Sequence, residues 1–164
     1  MKSRCVGCGG LFDPKVGAIH DYMLSSATCW EQYGHILARE YQNQNLFVSS
    51  HRLTVDAYAL QHPGLENERR AYQSVRIHYV SLHLIFACGK THLEATDALK
   101  TLSNQSFNPL PSRPSGFKFT VKDVFDSELT NHEAEIEKWA RCAYESWSVL
   151  RHYAEEVIQE SRLL

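Results

Sequence analysis

The sequence predicts a mostly α-helical fold, a bundle of about five helices with one short extended segment near residues 117–121. Three observations favour this class. Apolar residues recur at intervals of three and four over several long segments, glycine or proline stands between segments, and alternation with a period of two occurs in one short stretch. Because the chain has 164 residues, 43% of them hydrophobic, and no internal repeat, we expect one domain over residues 1–164.

The first helix is predicted over residues 26–42. Trp30, Tyr33 and Leu37 recur at helical spacing and form its apolar face. Glu40 is assigned to the opposite face, with the other charged side chains of this segment, so we expect it to be exposed to solvent.

A polar stretch, residues 42–50, is expected to end the first helix and to form a loop. The second helix is predicted over residues 52–61, because Ser49 or Ser50 can cap its beginning and Pro63 cannot continue it. The two helices would then form an antiparallel hairpin, in which the beginning of one lies beside the end of the other.

The third helix is predicted over residues 66–89, since Gly89 suits the left-handed conformation that often ends a helix. Its second half, residues 80–87, is apolar on almost every side, which is typical of a helix at the centre of a bundle. A shorter fourth helix is expected over residues 92–102.

An exposed loop is predicted over residues 104–116, where three of the five prolines lie. Alternation of apolar and polar residues over 117–121 then indicates a short strand or extended segment. Thr130 and Glu133 have the spacing of a capping box, in which each side chain satisfies a free backbone amide of the other residue. The expected domain therefore has a helical part, a loop and a C-terminal part, namely residues 1–103, 104–116 and 117–164.

The capping box is expected to open the longest helix of the chain. Trp139 and Trp147 lie on its apolar stripe, and an aromatic stripe at helical spacing is more often core than the wall of a ligand cleft. The fifth helix is therefore predicted to build the core.

The charge balance excludes two large classes of binding protein. There are 17 lysines and arginines against 19 aspartates and glutamates, a formal net charge of -2. Nucleic acids and anionic membranes both select a basic surface, so we expect neither as a partner. The first residues also have no apolar run typical of a secretory signal, so a cytoplasmic, reducing location is expected. In that location, five cysteines indicate metal ligands or buried thiols.

A zinc site is predicted from Cys5 and Cys8. Two thiolates three residues apart, followed by glycines, form half of a tetrahedral site. Cys29 is the best third ligand, because it stands near the beginning of the first helix. The helical hairpin would bring the end of the second helix to the same place, which makes His62 the fourth ligand and leaves His20 as its rival. The bundle is therefore expected to be tethered to its N-terminal segment by Zn²⁺.

A second group of polar residues is predicted between the second and third helices. An antiparallel third helix would bring His78 near His51, with Asp56 placed to orient an imidazole or to join a catalytic metal. These three are the candidate catalytic or ligand-binding residues. The competing interpretation is that a buried histidine and aspartate satisfy each other in a helical core.

The remaining histidines and cysteines are expected to have no role in a site. Cys88 and Cys142 lie in apolar helical stretches that indicate core. Four histidines are isolated and adjacent to polar surface: His35, His92, His132 and His152. Motifs for phosphate loops, serine-hydrolase elbows and zinc proteases are absent from the sequence.

Across roughly the first ninety residues, the sequence resembles an uncharacterised bacterial family, a domain of unknown function. The segments that carry the resemblance are Cys5-x-x-Cys8-Gly9, His20-Asp21-Tyr22-Met23, Cys29-Trp30-x-x-Tyr33-Gly34-x-x-Leu37-Ala38-Arg39-Glu40-Tyr41, Val55-Asp56-x-Tyr58-x-x-Gln61-His62-Pro63-Gly64 and Gln73-Ser74-Val75-x-x-His78. The resemblance implies a small bacterial protein and brings no activity, substrate or fold with it.

Three hypotheses about function follow. The leading one is a zinc-stabilised helical protein that binds a small molecule or a protein at the pocket containing histidine and aspartate. The alternative is a metal-dependent, hydrolase-like enzyme that uses His51, Asp56 and His78. A weaker alternative is a redox sensor that uses Cys5 and Cys8.

Overall fold

The computed structural model describes residues 1–102 and 109–163, and within them the chain is mostly helical, as predicted. A two-stranded antiparallel sheet precedes seven α-helices, and short 3-10 turns at Leu129–Asn131 and Ser148–Leu150 lead into the last two. The elements are β1 Ser3–Arg4, β2 Leu11–Phe12, α1 Ala27–Tyr41, α2 Gln44–Gln61, α3 Arg69–Phe86, α4 His92–Leu102, α5 Val121–Asp126, α6 His132–Ser146 and α7 Arg151–Glu160.

The α1–α2 hairpin is tighter than the sequence suggested. Helix α1 follows its prediction, but α2 begins at Gln44, so the expected loop over residues 42–50 is wrong. The side-chain oxygen of Asn43 accepts hydrogen bonds from the backbone N–H groups of Asn45 and Leu46, 3.1 and 3.3 Å away, and starts the helix there. The first turn of α2 lies at the surface, where polar side chains are easily accommodated in a helix.

Helices α3 and α4 lie close to their predicted positions. Helix α3 begins at Arg69, three residues later than expected, and residues 79–84 within it are buried. Gly89 adopts a φ of 69°, the left-handed conformation expected after the end of this helix. Helix α4 has its predicted bounds.

The C-terminal part departs from its prediction at the beginning of α5 and at the beginning of α6. The strand expected over 117–121 is wrong, since residues 117–120 have no regular structure and lead into α5. Thr120, whose backbone is extended, caps this helix: its backbone N–H and its hydroxyl both donate to the carboxylate of Asp123, at 2.8 and 3.0 Å. The expected capping box at Thr130 and Glu133 is also wrong. Asn131 is the N-cap residue of α6 and makes no capping bond through its side chain.

The expected long C-terminal helix is broken into α6 and α7 by the turn Ser148–Leu150. The break allows Trp147 and Leu150 to be buried while α7 turns to pack on α3. Residues 103–108, which include the first five residues of the predicted loop over 104–116, lie outside the described residues, and residues 109–116 have no regular structure.

Helices α2 and α3 form the centre of the bundle, and α2 contacts α1, α3, α4 and α6. Trp139 and Trp147 are fully buried in this core, as predicted. Their indole N–H groups donate to the side-chain oxygen of Gln61 and to the carbonyl of Leu60, at 2.9 and 2.8 Å. Two tryptophans thus fix the last residues of α2, immediately before His62. In the part of the chain that the structure describes, no helix combines the length and apolar character needed to cross a bilayer.

The connection between β2 and α1 is irregular and follows the surface. Residues 13–19 are exposed, and only a few contacts fix them to α1. The hydroxyl of Thr28 donates to the carbonyl of Asp13 at 2.6 Å, and Lys15 pairs with Glu31. This connection joins the strands to the helical bundle.

Candidate metal centre and polar pocket

Cys5 and Cys8 lie in the tight turn between β1 and β2. The backbone N–H of Cys5 donates to the carbonyl of Gly10 at 2.9 Å, and the N–H of Gly9 donates to the carbonyl of Cys5 at 3.0 Å. Gly9 has a φ of 74°, a conformation that glycine adopts without steric cost. The turn leaves both cysteine side chains almost completely buried against the helices.

The N-terminus of α1 brings Cys29 to this turn. Ser26 is the N-cap residue, and its side-chain oxygen accepts the backbone N–H of Cys29 at 3.4 Å. The backbone N–H of Ser26 itself points at the sulfur of Cys5, also at 3.4 Å. A single residue therefore caps the helix and contacts the turn that carries the first pair of thiols.

The C-terminus of α2 contributes His62. Its Nδ1–H donates to the carbonyl of Tyr58 at 2.8 Å, because a carbonyl can only accept. The other ring nitrogen, Nε2, therefore carries its lone pair and lies 3.2 Å from the sulfur of Cys29. Fixing the tautomer through the second nitrogen is the usual arrangement for a histidine that binds a metal.

These four side chains, which we call the Cys3His cluster, could hold a metal ion: Cys5, Cys8, Cys29 and His62. Their ligand atoms lie within 4.8 Å of one another, and the sulfurs of Cys8 and Cys29 are 3.9 Å apart. Sulfur atoms bound to one tetrahedral ion at about 2.3 Å are separated by about 3.8 Å. The observed spacing fits such an ion.

The three thiols influence one another strongly. Hydrogen bonds from Cys29 and Cys8 lower the pKa of the Cys5 thiol. Contacts with Cys5 and Cys8, together with burial, raise the pKa of Cys29 far above its usual range. A divalent ion bound at these positions would favour the thiolate form of all three.

Aromatic rings and a glycine enclose the cluster. The ring of Tyr58 stacks between those of His62 and Tyr33, with both centroid distances 3.8 Å. Gly7 packs so closely that a Cβ there would collide with the carbonyl of Leu24 and lie 2.5 Å from the His62 ring. Only glycine fits at this position, and the packing holds the imidazole against the turn.

His20, the rival fourth ligand, lies outside the Cys3His cluster. Its Nδ1 accepts the backbone N–H groups of Tyr22 and Met23, at 3.3 and 3.2 Å. The ring also makes an edge contact with Trp30, with centroids 5.1 Å apart. In this position His20 shapes the connection before α1 and holds Tyr22 in place.

Asp56 and His78 meet as the sequence suggested. The imidazole Nδ1–H of His78 donates to Oδ1 of Asp56 at 2.7 Å. Arg52 donates to the same oxygen at 2.5 Å, and the hydroxyl of Ser81 donates to Oδ2 at 2.5 Å. The carboxylate is completely buried and holds the His78 ring in one orientation.

His51 does not join this pair, which corrects the expectation that it meets His78. Its Nδ1–H instead donates to Glu40 at 2.9 Å. Glu40 also accepts from Thr54 at 2.5 Å and from Nε2 of His132 at 3.1 Å. Burial by itself would raise the pKa of Glu40, but the hydrogen bonds from His132, His51 and Thr54 hold it below its usual range.

Glu40 and His132 were therefore misassigned from the sequence, since both are buried. A signal for Glu40 was present, because Cys29, Tyr33, Ile36 and Glu40 are spaced by four, three and four and share the buried face of α1. For His132 the sequence held no local signal, because its partner lies 92 positions away.

A cavity of about 300 Å³ opens beside the His78 ring, and we call it the polar pocket. It lies between the N-terminal half of α3 and the connection that precedes α1. The residues that line it are Tyr22, Arg70, Gln73, Ser74, Ile77 and His78. Of the three candidate catalytic residues, His78 alone lines this cavity, with Asp56 behind it and His51 elsewhere.

Comparison with known proteins identifies a family for this chain. The profile of a family of unknown function, DUF5946, matches residues 3–148, a range that contains the whole Cys3His cluster and the polar pocket. No curated protein matches the chain. No solved structure matches it either.

Proposed function

The chain belongs to the DUF5946 family, whose function is unknown, and we propose that it is a zinc-stabilised helical protein that binds a small ligand in the polar pocket. The observation that carries the first half is the Cys3His cluster, in which the donor atoms converge from three separate parts of the chain. The second half is supported by His78, which lines the pocket and is oriented by Asp56.

Zinc is the metal that best fits the chemistry of the cluster. Three thiolates and one imidazole in tetrahedral spacing are a typical structural zinc set, whereas Mg²⁺ and Ca²⁺ prefer oxygen ligands. All four positions come from protein side chains that are at least 98% buried. The proposed ion would therefore be structural, because no position is left open for a substrate.

The ligands would join the β1–β2 turn, the beginning of α1 and the end of α2. Within the chain, Ser26 and Tyr58 orient the ligands through backbone and side-chain hydrogen bonds. Binding to these positions selects the folded form, since the unfolded chain does not bring them together.

Elemental analysis of the purified protein tests the zinc proposal. We expect about one zinc per chain, lost in the Cys5→Ser/Cys8→Ser double variant because two of four ligands are removed. The matched control is Cys142→Ser, a free cysteine outside the cluster, which should keep its zinc. Absence of any transition metal from the wild type, or full zinc in the double variant, would contradict the proposal.

The two alternative functions receive less support. A metal-dependent hydrolase built from His51, Asp56 and His78 would need these residues to converge, but His51 pairs with Glu40. A redox sensor would use Cys5 and Cys8 alone, but Cys29 and His62 complete a four-ligand set around them. A cytoplasmic location and the exclusion of nucleic acids and membranes stay predictions from the sequence.

A further inference from the structure

We propose that the ligand of the polar pocket is a small organic anion, a molecule with one carboxylate or phosphate group attached to a compact apolar body. The inference depends on the proposed ligand-binding role of this pocket and specifies the chemistry of what it takes. Four observations carry it: the donors that line the pocket, a buried hydroxyl without a partner, the orientation of His78 and the apolar part of the wall.

The described lining of the pocket supplies hydrogen-bond donors and one permanent positive charge, and it includes no carboxylate. Arg70 is the charged residue. Its guanidinium lies over the ring of Tyr22, 5.2 Å from the centroid, and both residues line the pocket. A guanidinium in this position recognises the paired oxygens of a carboxylate or phosphate.

Ser74 shows that the pocket is built for a polar ligand. The residue is only 8% exposed, and its side-chain oxygen has no hydrogen-bond partner among the described residues. A buried hydroxyl without a partner costs free energy in the folded protein, and a ligand oxygen at this place would satisfy it. Because Ser74 stands one helical turn before His78, both side chains lie on the same face of α3.

The environment of His78 favours an anion on the pocket side of the ring. Its Nδ1–H is bonded to Asp56, and Arg52 and Ser81 donate to that same carboxylate. These donors largely offset the negative charge of Asp56, so it repels an anion in the pocket only weakly. With Nδ1 bonded to Asp56, Nε2 is the ring nitrogen left to make a hydrogen bond with a ligand.

The rest of the wall limits the body of the ligand. Ile77 and the ring of Tyr22 provide apolar surface beside the donors. A cavity of about 300 Å³ is at the lower end of the range for small-molecule sites, which suits a single ring or a short branched chain.

Titration calorimetry on zinc-loaded protein tests this inference with four probes. Benzoate and phenyl phosphate carry the two acidic groups on the same ring, and benzyl alcohol and benzylamine are the neutral and cationic controls. We expect one or both anions to bind and neither control to do so. The stronger of the two anions then distinguishes a carboxylate ligand from a phosphate ligand.

Two neighbouring arginines provide a matched pair of variants. Arg70 lines the pocket and Arg69 does not, although both are exposed on the first turn of α3. We expect Arg70→Ala to weaken anion binding by at least about tenfold and Ser74→Ala by about threefold. Arg69→Ala should change the affinity by less than about twofold. Equal effects of the two arginine variants would overturn the inference.

Imidazole proton resonances of His78 and the zinc content of each sample separate the possible failures. If benzyl alcohol or benzylamine shifts the His78 resonances and neither anion does, the pocket binds small molecules and the anion inference is wrong. If no probe shifts them in zinc-loaded protein, the ligand-binding half of the proposed function fails as well. If the wild-type protein contains no zinc, the other half of the proposed function is wrong, and the anion result is judged independently.

Discussion

Glu40 is a charge at the meeting point of three helices. It belongs to α1, its partners His51 and Thr54 belong to α2, and its partner His132 opens α6. The side chain is completely buried, so its charge is tolerated only because hydrogen bonds replace the water that it lost. Residues of this kind fix how helices pack, because each partner must keep its position.

Replacing this carboxylate should change how stability depends on pH. The hydrogen-bonded Glu40 has a pKa below its ordinary value of 4.5, so it contributes stability above that pH and loses it as the pH falls. We expect Glu40→Gln to be less stable by about 1–3 kcal/mol near neutral pH. The difference from the wild type should shrink below about pH 4.5.

Urea unfolding of both proteins between about pH 7 and pH 3 measures this difference directly. A gap in unfolding free energy that stays constant over the whole range would show that Glu40 contributes by packing and that its charge has no part. The wild type provides the reference at every pH, so the titration of other carboxylates affects both curves alike.

The cluster residues show what a sequence can reveal about a site. Cys5 and Cys8 are recognisable by local spacing, and Cys29 and His62 follow once the first two helices are taken as an antiparallel hairpin. The structure brings these four together. The expected meeting of His51 and His78 is wrong because it places Glu40, the partner of His51, at the surface, although the helical spacing of Glu40 indicates the buried face of α1.

Among the elements, α2 differs most from its prediction, and the reason is a single capping side chain. Residues 44–50 are mostly polar and have no apolar periodicity, so the pattern indicated a loop. Asn43 nevertheless starts the helix by accepting two backbone N–H groups. Capping depends on backbone geometry at one residue, whereas periodicity is averaged over many.

Removing that cap should therefore destabilise the hairpin. We expect Asn43→Ala to lower the free energy of unfolding by about 0.5–2 kcal/mol, because two backbone N–H groups lose their partner. Asn43→Asp is the matched control, since it keeps an acceptor oxygen at the same place. Equilibrium unfolding in urea measures both. Equal losses in the two variants would indicate that residue 43 acts through something other than its acceptor.

The C-terminal elements illustrate a different limit of sequence reasoning. Thr120 belongs to an alternating stretch that indicates a strand, but its bonds to Asp123 start α5. The break before α7 follows from burial of Trp147. Its indole N–H donates to the carbonyl of Leu60 in α2, a residue 87 positions earlier in the sequence. Such long-range contacts decide where a helix ends, and no local pattern contains them.

At the scale of the whole molecule, the Cys3His cluster and the core between α2 and α6 stabilise different parts of the fold. The core between α2 and α6 rests on fully buried aromatic and aliphatic side chains, among them Trp139 and Ile136. The β1–β2 turn, in contrast, has two short strands and a few backbone bonds besides its cysteines. The packing of the β1–β2 turn against the helices should therefore depend on the metal far more than the stability of the α2–α6 core does.

Hydrogen exchange with and without a chelator should distinguish the contribution of the metal from that of the α2–α6 core. We expect chelation to increase exchange in residues 1–26 and at the beginning of α1, while amides in the middle of α2 and in α6 stay protected. Mass spectrometry of peptides after exchange locates the change. Loss of protection spread evenly over α2 and α6 would mean that the metal holds the whole bundle together.

The proposed metal would link the parts of the chain on either side of the exposed connection over residues 13–19. Cys5 and Cys8 precede this connection, and Cys29 and His62 follow it. The ion would thus be a second link, parallel to the backbone, between the first dozen residues and the remainder. If a protease cuts the backbone after Lys15, the proposed ion should keep the N-terminal fragment bound to the rest of the protein. Addition of a chelator should then release that fragment.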